Sequence, residues 1–261
     1  MFKDVPEQRW SYDLIKRMVR AGIYQGYPDA TFRPEQAVTR EQDAAVADRI
    51  VKGLPGITLS AEMMPSIVVI HHGGYGLGSG VWVAPWKVLT NAHVVETLAG
   101  DQGALGVFGY EGDGISAEDG HGFDPGGAMP ATRIAVSHEY DLALLDVEPP
   151  AYGHAITIKT VDLGPGVMRG EKVWALGTPF GLPWDYSDGV IRHPMRRVNY
   201  WNQAQVLYGL TVPINPGNSG GGLFNNAGEF VGVPSAGATG VNSFTFAVPV
   251  YQCRQFLEGL L

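Results

Sequence analysis

Ser219 stands in the run Asn215-Pro216-Gly217-Asn218-Ser219-Gly220-Gly221-Gly222, a hydroxyl set among glycines. Glycine is needed where the backbone takes φ > 0 or comes close to another group. Such a turn can expose the serine and point successive N–H groups to one side, forming a nest for an anion. A nucleophile beside donors for the oxyanion it generates is the equipment of acyl transfer. For this segment alone, an ordinary glycine-rich turn is the weaker alternative. A hydroxyl nucleophile needs a base, and Thr90-Asn91-Ala92-His93-Val94-Val95 offers His93 just after an apolar strand. An imidazole titrates near pH 6.5 when unperturbed, so it can take and return a proton near neutrality. The base needs an orienting group, and Asp141 opens the apolar run Leu142-Ala143-Leu144-Leu145-Asp146-Val147. A strand-end carboxylate in a surface ion pair would look the same. Asp146 competes for the role, but it lies five positions along the strand and faces the other side.

These groups are far apart in sequence, so their meeting depends on the elements that carry them. Short β-branched runs recur between glycine and proline turns: Ser66–His72, Val81–Ala84, Val88–Thr90, Ile156–Ile158, Gly170–Gly177 and Phe244–Val250. That spacing predicts an all-β barrel or sandwich. Gly73–Gly80 reads as a turn, and Tyr251–Leu261 as a closing helix. The segment Gly100–Gly127 carries Asp101, Glu111, Asp113, Glu118, Asp119 and Asp124 among many glycines. It reads as a solvated, mobile insertion, with no defined Ca²⁺-loop spacing. Trp184, Tyr186 and Trp201 read as loop aromatics that could line a substrate groove. His71 and His72 have no supporting ligand spacing, and no metal or cofactor is expected.

Four segments, Thr90–Val95, Asp141–Val147, Gly177-Thr178-Pro179-Phe180-Gly181-Leu182 and Ile214–Gly221, resemble the signature blocks of the HtrA/Deg-type trypsin-like serine proteases, in that family's order. The resemblance covers residues 62–261 and implies two six-stranded antiparallel β-barrels with a cleft between them. It implies a serine endopeptidase with Ser219 as nucleophile, His93 as general base and Asp141 as orienter. The oxyanion donors are then the N–H groups of Gly217 and Ser219, since Pro216 has none. It further implies a specificity pocket lined by Val212-Pro213-Ile214 and by Ser235-Ala236-Gly237, with Ser235 also bonding Asp141 and pairing with substrate backbone. Ile214 and the lack of an acid at the base predict cleavage after small or medium aliphatic residues. A homo-oligomer is one further implication, and no PDZ domain follows.

Residues 1–52 read as a separate α-helical module, with Gly53–Ala61 as linker. Trp10, Leu14, Ile15, Met18 and Val19 recur at helical spacing. Gly26–Pro34 is dense in turn formers, and Thr39 offers an N-cap to a second helix with Gln42 as its capping-box partner. The blocks Phe2-Lys3-Asp4-Val5, Gly26-Tyr27-Pro28-Asp29, Thr31-Phe32-Arg33-Pro34 and Val38-Thr39-Arg40 resemble a single S-layer homology repeat. That resemblance implies binding of cell-wall polysaccharide through residues 2–52, with Arg40 and Trp10 as the ligand-facing candidates and a core place as the alternative for Trp10, and a cell-surface or extracellular location. A catalytically silent wall-binding protein is the alternative function; a plain helical cap is the structural one.

Composition narrows the classes. The net charge of −8 argues against nucleic acid or an anionic membrane surface as partner. No apolar run reaches the length of a membrane span, and the N-terminus lacks the pattern of a signal peptide. The single cysteine, Cys253, excludes an internal disulfide and sits in the helical pattern as a small core residue.

Overall fold

The structure is a computed structural model that describes residues 3–6, 12, 15, 29–36, 60–72, 77–96, 105–110, 127–150, 157–200, 203–235 and 244–261. The chain divides into two compact units, Met1–Thr58 and Leu59–Leu261. In the first, Val5 and Ile15 are buried. Its turn is tied by carboxylates: Asp4 accepts the N–H groups of Phe32 at 2.7 Å and Arg33 at 2.6 Å. Asp29 accepts both the N–H and the hydroxyl of Thr31, at 3.0 and 2.6 Å. Trp10, Thr39 and Arg40 lie outside the described residues.

The second unit is mainly β: two closed six-stranded barrels, ordered β1-β2-β3-β6-β5-β4 and β10-β11-β12-β9-β8-β7. The first barrel comprises β1 (Ile67–His72), β2 (Leu77–Ala84), β3 (Lys87–Thr90), β4 (Leu105–Phe108), β5 (Met129–Ser137) and β6 (Leu142–Val147). The second comprises β7 (Lys172–Gly177), β8 (Asp185–Tyr200), β9 (Gln203–Leu210), β10 (Gly222–Asn225), β11 (Phe230–Ser235) and β12 (Thr245–Pro249). Short helices join the strands, among them α1 (Ala92–Glu96) and α2 (Val250–Leu257). Among the described residues no helix is long and apolar enough to cross a membrane.

The continuous apolar runs have a cause in this arrangement. Strand side chains alternate between two faces, and here both faces are covered. In β6, Ala143, Leu145 and Val147 fill the first barrel, while Leu142 and Leu144 face the seam between barrels. In β7, Val173 and Ala175 fill the second barrel, and Trp174 and Leu176 meet the same seam. Trp174 stacks on Phe224 there at 4.5 Å between centroids. A strand buried on both sides loses the polar half of its pattern.

Several sequence-based expectations differ from the structure. β2 begins at Leu77, so Gly78 and Gly80 are strand residues. A Cβ on either would come within 2.4 Å of Val94 or Val88, so these glycines serve close packing rather than a turn. The stretch read as a solvated insertion contains β4, whose four residues are buried and paired with β1 and β5; residues 111–126 lie outside the described ones. Trp184 is not a groove residue. It is buried, and its indole N–H donates to the Ile67 carbonyl at 3.1 Å across the seam. Tyr186 packs on the same core. The strand expected at Ile156–Ile158 is a single bridge, Thr157 to Tyr110. The closing helix ends at Leu257.

Cys253 is fully buried, which pushes its thiol well above the ordinary range. A thiol kept protonated is a poor nucleophile. Ellman's reagent is therefore expected to leave the native protein untouched and to titrate one thiol in denaturant; rapid reaction of the native protein would contradict the packing.

Candidate active site

Asp141 turns the chain into β6 at φ 54°, a conformation that Asp tolerates better than most residues. Its side chain is buried and surrounded by donors. Oδ2 lies 2.8 Å from His93 Nδ1 and accepts the Ser235 hydroxyl at 3.0 Å. Oδ1 accepts the His93 backbone N–H at 3.1 Å. The Asn91 amide donates to the Asp141 carbonyl at 2.8 Å, fixing the strand end to the turn before α1. A carboxylate facing Nδ1 holds the proton there, which leaves Nε2 as the basic nitrogen. Asp146 lies at the surface and pairs with Lys87.

Ser219 is buried, in the segment between β9 and β10. Its carbonyl accepts the Ser79 N–H at 2.9 Å, and the Gly220 N–H donates to the Pro234 carbonyl at 3.0 Å. Gly220, at φ 88°, passes so close to β2 and β3 that a Cβ would lie 2.0 Å from the Ser79 carbonyl and 2.2 Å from Thr90 Oγ1. Thr90 is three residues before His93 and Pro234 one before Ser235, so the serine turn, the imidazole and the carboxylate gather at one end of the seam.

The backbone before Ser219 is fixed as firmly. Gly217, at φ 101°, leaves no room for a side chain: a Cβ would sit 2.1 Å from the Thr178 carbonyl. The Pro216 carbonyl accepts the Phe180 N–H at 2.8 Å. Because a trans peptide points its C=O and N–H in opposite directions, the Gly217 N–H faces away from Phe180. Neither it nor the Ser219 N–H donates to another described residue.

Sequence reasoning missed Ser79. This β2 residue is fully buried and makes four bonds. Its hydroxyl donates to the Gly217 carbonyl at 2.7 Å and accepts the Thr178 N–H at 2.9 Å. Its N–H holds the Ser219 carbonyl, and its own carbonyl accepts the Thr90 hydroxyl at 2.7 Å. One residue of the first barrel thus pins the serine turn of the second. The only hint was a hydroxyl between Gly78 and Gly80, easily read as turn punctuation.

Of the expected pocket residues, Ile214 packs with Val212 in the second-barrel core. The Val212 carbonyl accepts the Thr245 hydroxyl at 2.7 Å and the Pro213 carbonyl the Ser187 hydroxyl at 2.9 Å. Ala236 and Gly237 lie outside the described residues, as does Trp201.

Two barrels with a serine turn and an Asp–His pair at their junction define the architecture of the trypsin-like serine proteases. The family model for the trypsin-like peptidase domain matches residues 78–233, and that for the S-layer homology domain residues 2–42. The chain belongs to the trypsin-like peptidases of the HtrA/Deg type. It is similar to the periplasmic pH-dependent serine endoprotease DegQ of Escherichia coli, 29% identical over 71% of this chain and 37% of the relative. A probable periplasmic serine endoprotease DegP-like of Halomonas elongata is 33% identical over 67% of this chain and 33% of its own length. The chain thus spans about a third of the curated relatives it matches. In fold it is similar to the active form of the Rv3671c protease from M. tuberculosis, with TM-score 0.62, 21% identity and coverage of 77% of this chain and 82% of that one.

Proposed function

We propose that the chain is a serine endopeptidase working through an acyl-enzyme. The observation that carries this reading is the buried Asp141 carboxylate bonded at once to His93 Nδ1 and to Ser235. Nε2 of His93 takes the Ser219 proton as Oγ attacks the peptide carbonyl. The Gly217 and Ser219 N–H groups receive the oxyanion. His93 then returns the proton to the leaving amine, freeing the C-terminal product. Water, deprotonated by the same imidazole, hydrolyses the ester and restores Ser219. The Ser219–His93 contact tightens when substrate seats, as catalytic hydrogen bonds often do. A fluorophosphonate is expected to modify Ser219, located by peptide mass spectrometry, and to leave Ser219→Ala unmodified. An unlabelled native protein would sink the reading.

A specificity pocket walled by Ile214, as the family resemblance implies, would select small or medium aliphatic residues before the cleaved bond. Peptides with Val, Ala or Ile there should turn over faster than those with Lys or Arg; preference for a basic residue would overturn this assignment. The N-terminal module, residues 1–52, is assigned to holding the enzyme to wall polysaccharide, on the strength of its S-layer homology match. Pelleting with purified wall polysaccharide, lost when residues 2–52 are deleted, tests it. The silent-scaffold alternative gains no support from a chain that retains Ser219, His93 and Asp141.

A further inference from the structure

The acidic chain contains a region of opposite character. Between Asp188 and Glu258 the only carboxylate is Glu229, in a protein with 26 acidic residues. Within that region β8 places Arg192, His193, Arg196 and Arg197 in one short stretch. Arg196 and Arg197 are exposed, as is Met195 between the basic pairs. The facing strand β9, Gln203–Leu210, has no acidic residue to neutralise them. The Glu229 carboxylate is engaged with Asn225 at 2.7 Å. Across β7, Glu171 accepts the Met168 N–H at 2.8 Å. This basic edge is thus left without a partner of opposite sign among the described residues.

Its position ties it to the cleft. Ser235 pairs with Phe246, Phe246 with Gly209, and Gly209 with His193, so one row crosses β11, β12, β9 and β8. Three strand steps of about 4.8 Å put His193 about 14 Å from Ser235. An extended polypeptide covers that distance in about four or five residues. Arg192 bridges part of the way, its guanidinium 4.9 Å from the ring centroid of Phe244 at the start of β12.

We propose that the basic edge of β8, carrying Arg192, Arg196 and Arg197, docks an acidic stretch of the polypeptide being cleaved. This rests on the peptidase reading of Ser219. Guanidinium groups match carboxylates in a forked geometry that a lysine cannot reproduce. Such rim charges act on encounter and on salt dependence more than on the chemical step.

Two fluorogenic peptides test it on the full chain, sharing one aliphatic cleavage site but preceded by a block of Glu or of Gln. The Glu peptide is expected to show kcat/KM about tenfold higher at low salt, mostly through KM. That advantage should vanish near 1 M salt, where the screening length falls to about 3 Å. Arg196→Glu/Arg197→Glu should bring the Glu peptide to the Gln level or below while the Gln peptide stays within about twofold. Equal rates for both peptides, or an advantage that survives the double variant, overturn the proposal. If neither peptide is cleaved, the peptidase reading fails, and fluorescence anisotropy of the same peptides decides the docking surface. Tighter binding of the Glu peptide by wild type than by the double variant supports it. Equal binding, or loss in the variant only of polygalacturonate binding, overturns it.

Discussion

Exchanging Asp141 for asparagine is expected to lower kcat by about ten-thousandfold while leaving the fold intact. The carboxylate holds the His93 proton on Nδ1 at 2.8 Å. An amide in its place can present an N–H to that nitrogen, which favours the tautomer with Nε2 protonated. Nε2 can then no longer accept the Ser219 proton. Shape is nearly conserved, and the bond from the Ser235 hydroxyl can be kept by the amide oxygen. Turnover of an aliphatic peptide, with thermal melting as the folding control, measures the effect. Asp146→Asn should change turnover less than about twofold, since it pairs with the half-buried Lys87 and bonds neither His93 nor Ser219. A loss below about tenfold in Asp141→Asn would remove Asp141 from the role of orienter.

Ser79→Ala should damage catalysis without touching substrate. The substitution deletes one hydroxyl and leaves the Gly217 carbonyl and the Thr178 N–H without their partner. Buried groups orphaned in this way lower stability by about 1–3 kcal/mol. The Gly217–Asn218 peptide they hold lies between the two peptides that carry the proposed oxyanion donors, and a single such donor is worth roughly a hundredfold to a thousandfold in kcat. A loosened donor keeps part of that, so kcat should fall about tenfold to a hundredfold. KM should move less than about threefold, since Ser79 contacts no substrate. The rate of fluorophosphonate labelling, which also builds charge on an oxygen in the hole, should fall in parallel. A lower melting temperature with unchanged kcat would make Ser79 a purely structural residue.

The serine turn, the histidine segment and the aspartate strand were legible because each carries a local signature: glycines around a hydroxyl, or an apolar run opened by a polar group. The strands were legible for a related reason, since burial on both faces wrote uninterrupted apolar stretches into β1, β6 and β7. What stayed hidden was hidden physically. β4 is four residues long and lies between glycine-rich flanks, so its neighbours masked its periodicity. β8 contains Pro194 and three arginines, which argue against a strand until the bulges on either side of His193 are seen. Ser79 acts through bonds to residues 99 and 138 positions away, and no spacing rule reaches that far. Trp184, read as a loop aromatic, owes its place to a carbonyl in the other barrel.

That last contact, together with Ser79, says something about timing. A ribosome delivers the imidazole and the carboxylate with the first half of the domain, but the alcohol only with the second. The oxyanion donors gain their orientation when the halves close on each other. On the peptidase reading proposed above, an unfinished or half-melted molecule therefore holds no assembled machinery, and cleavage waits until synthesis and docking are complete.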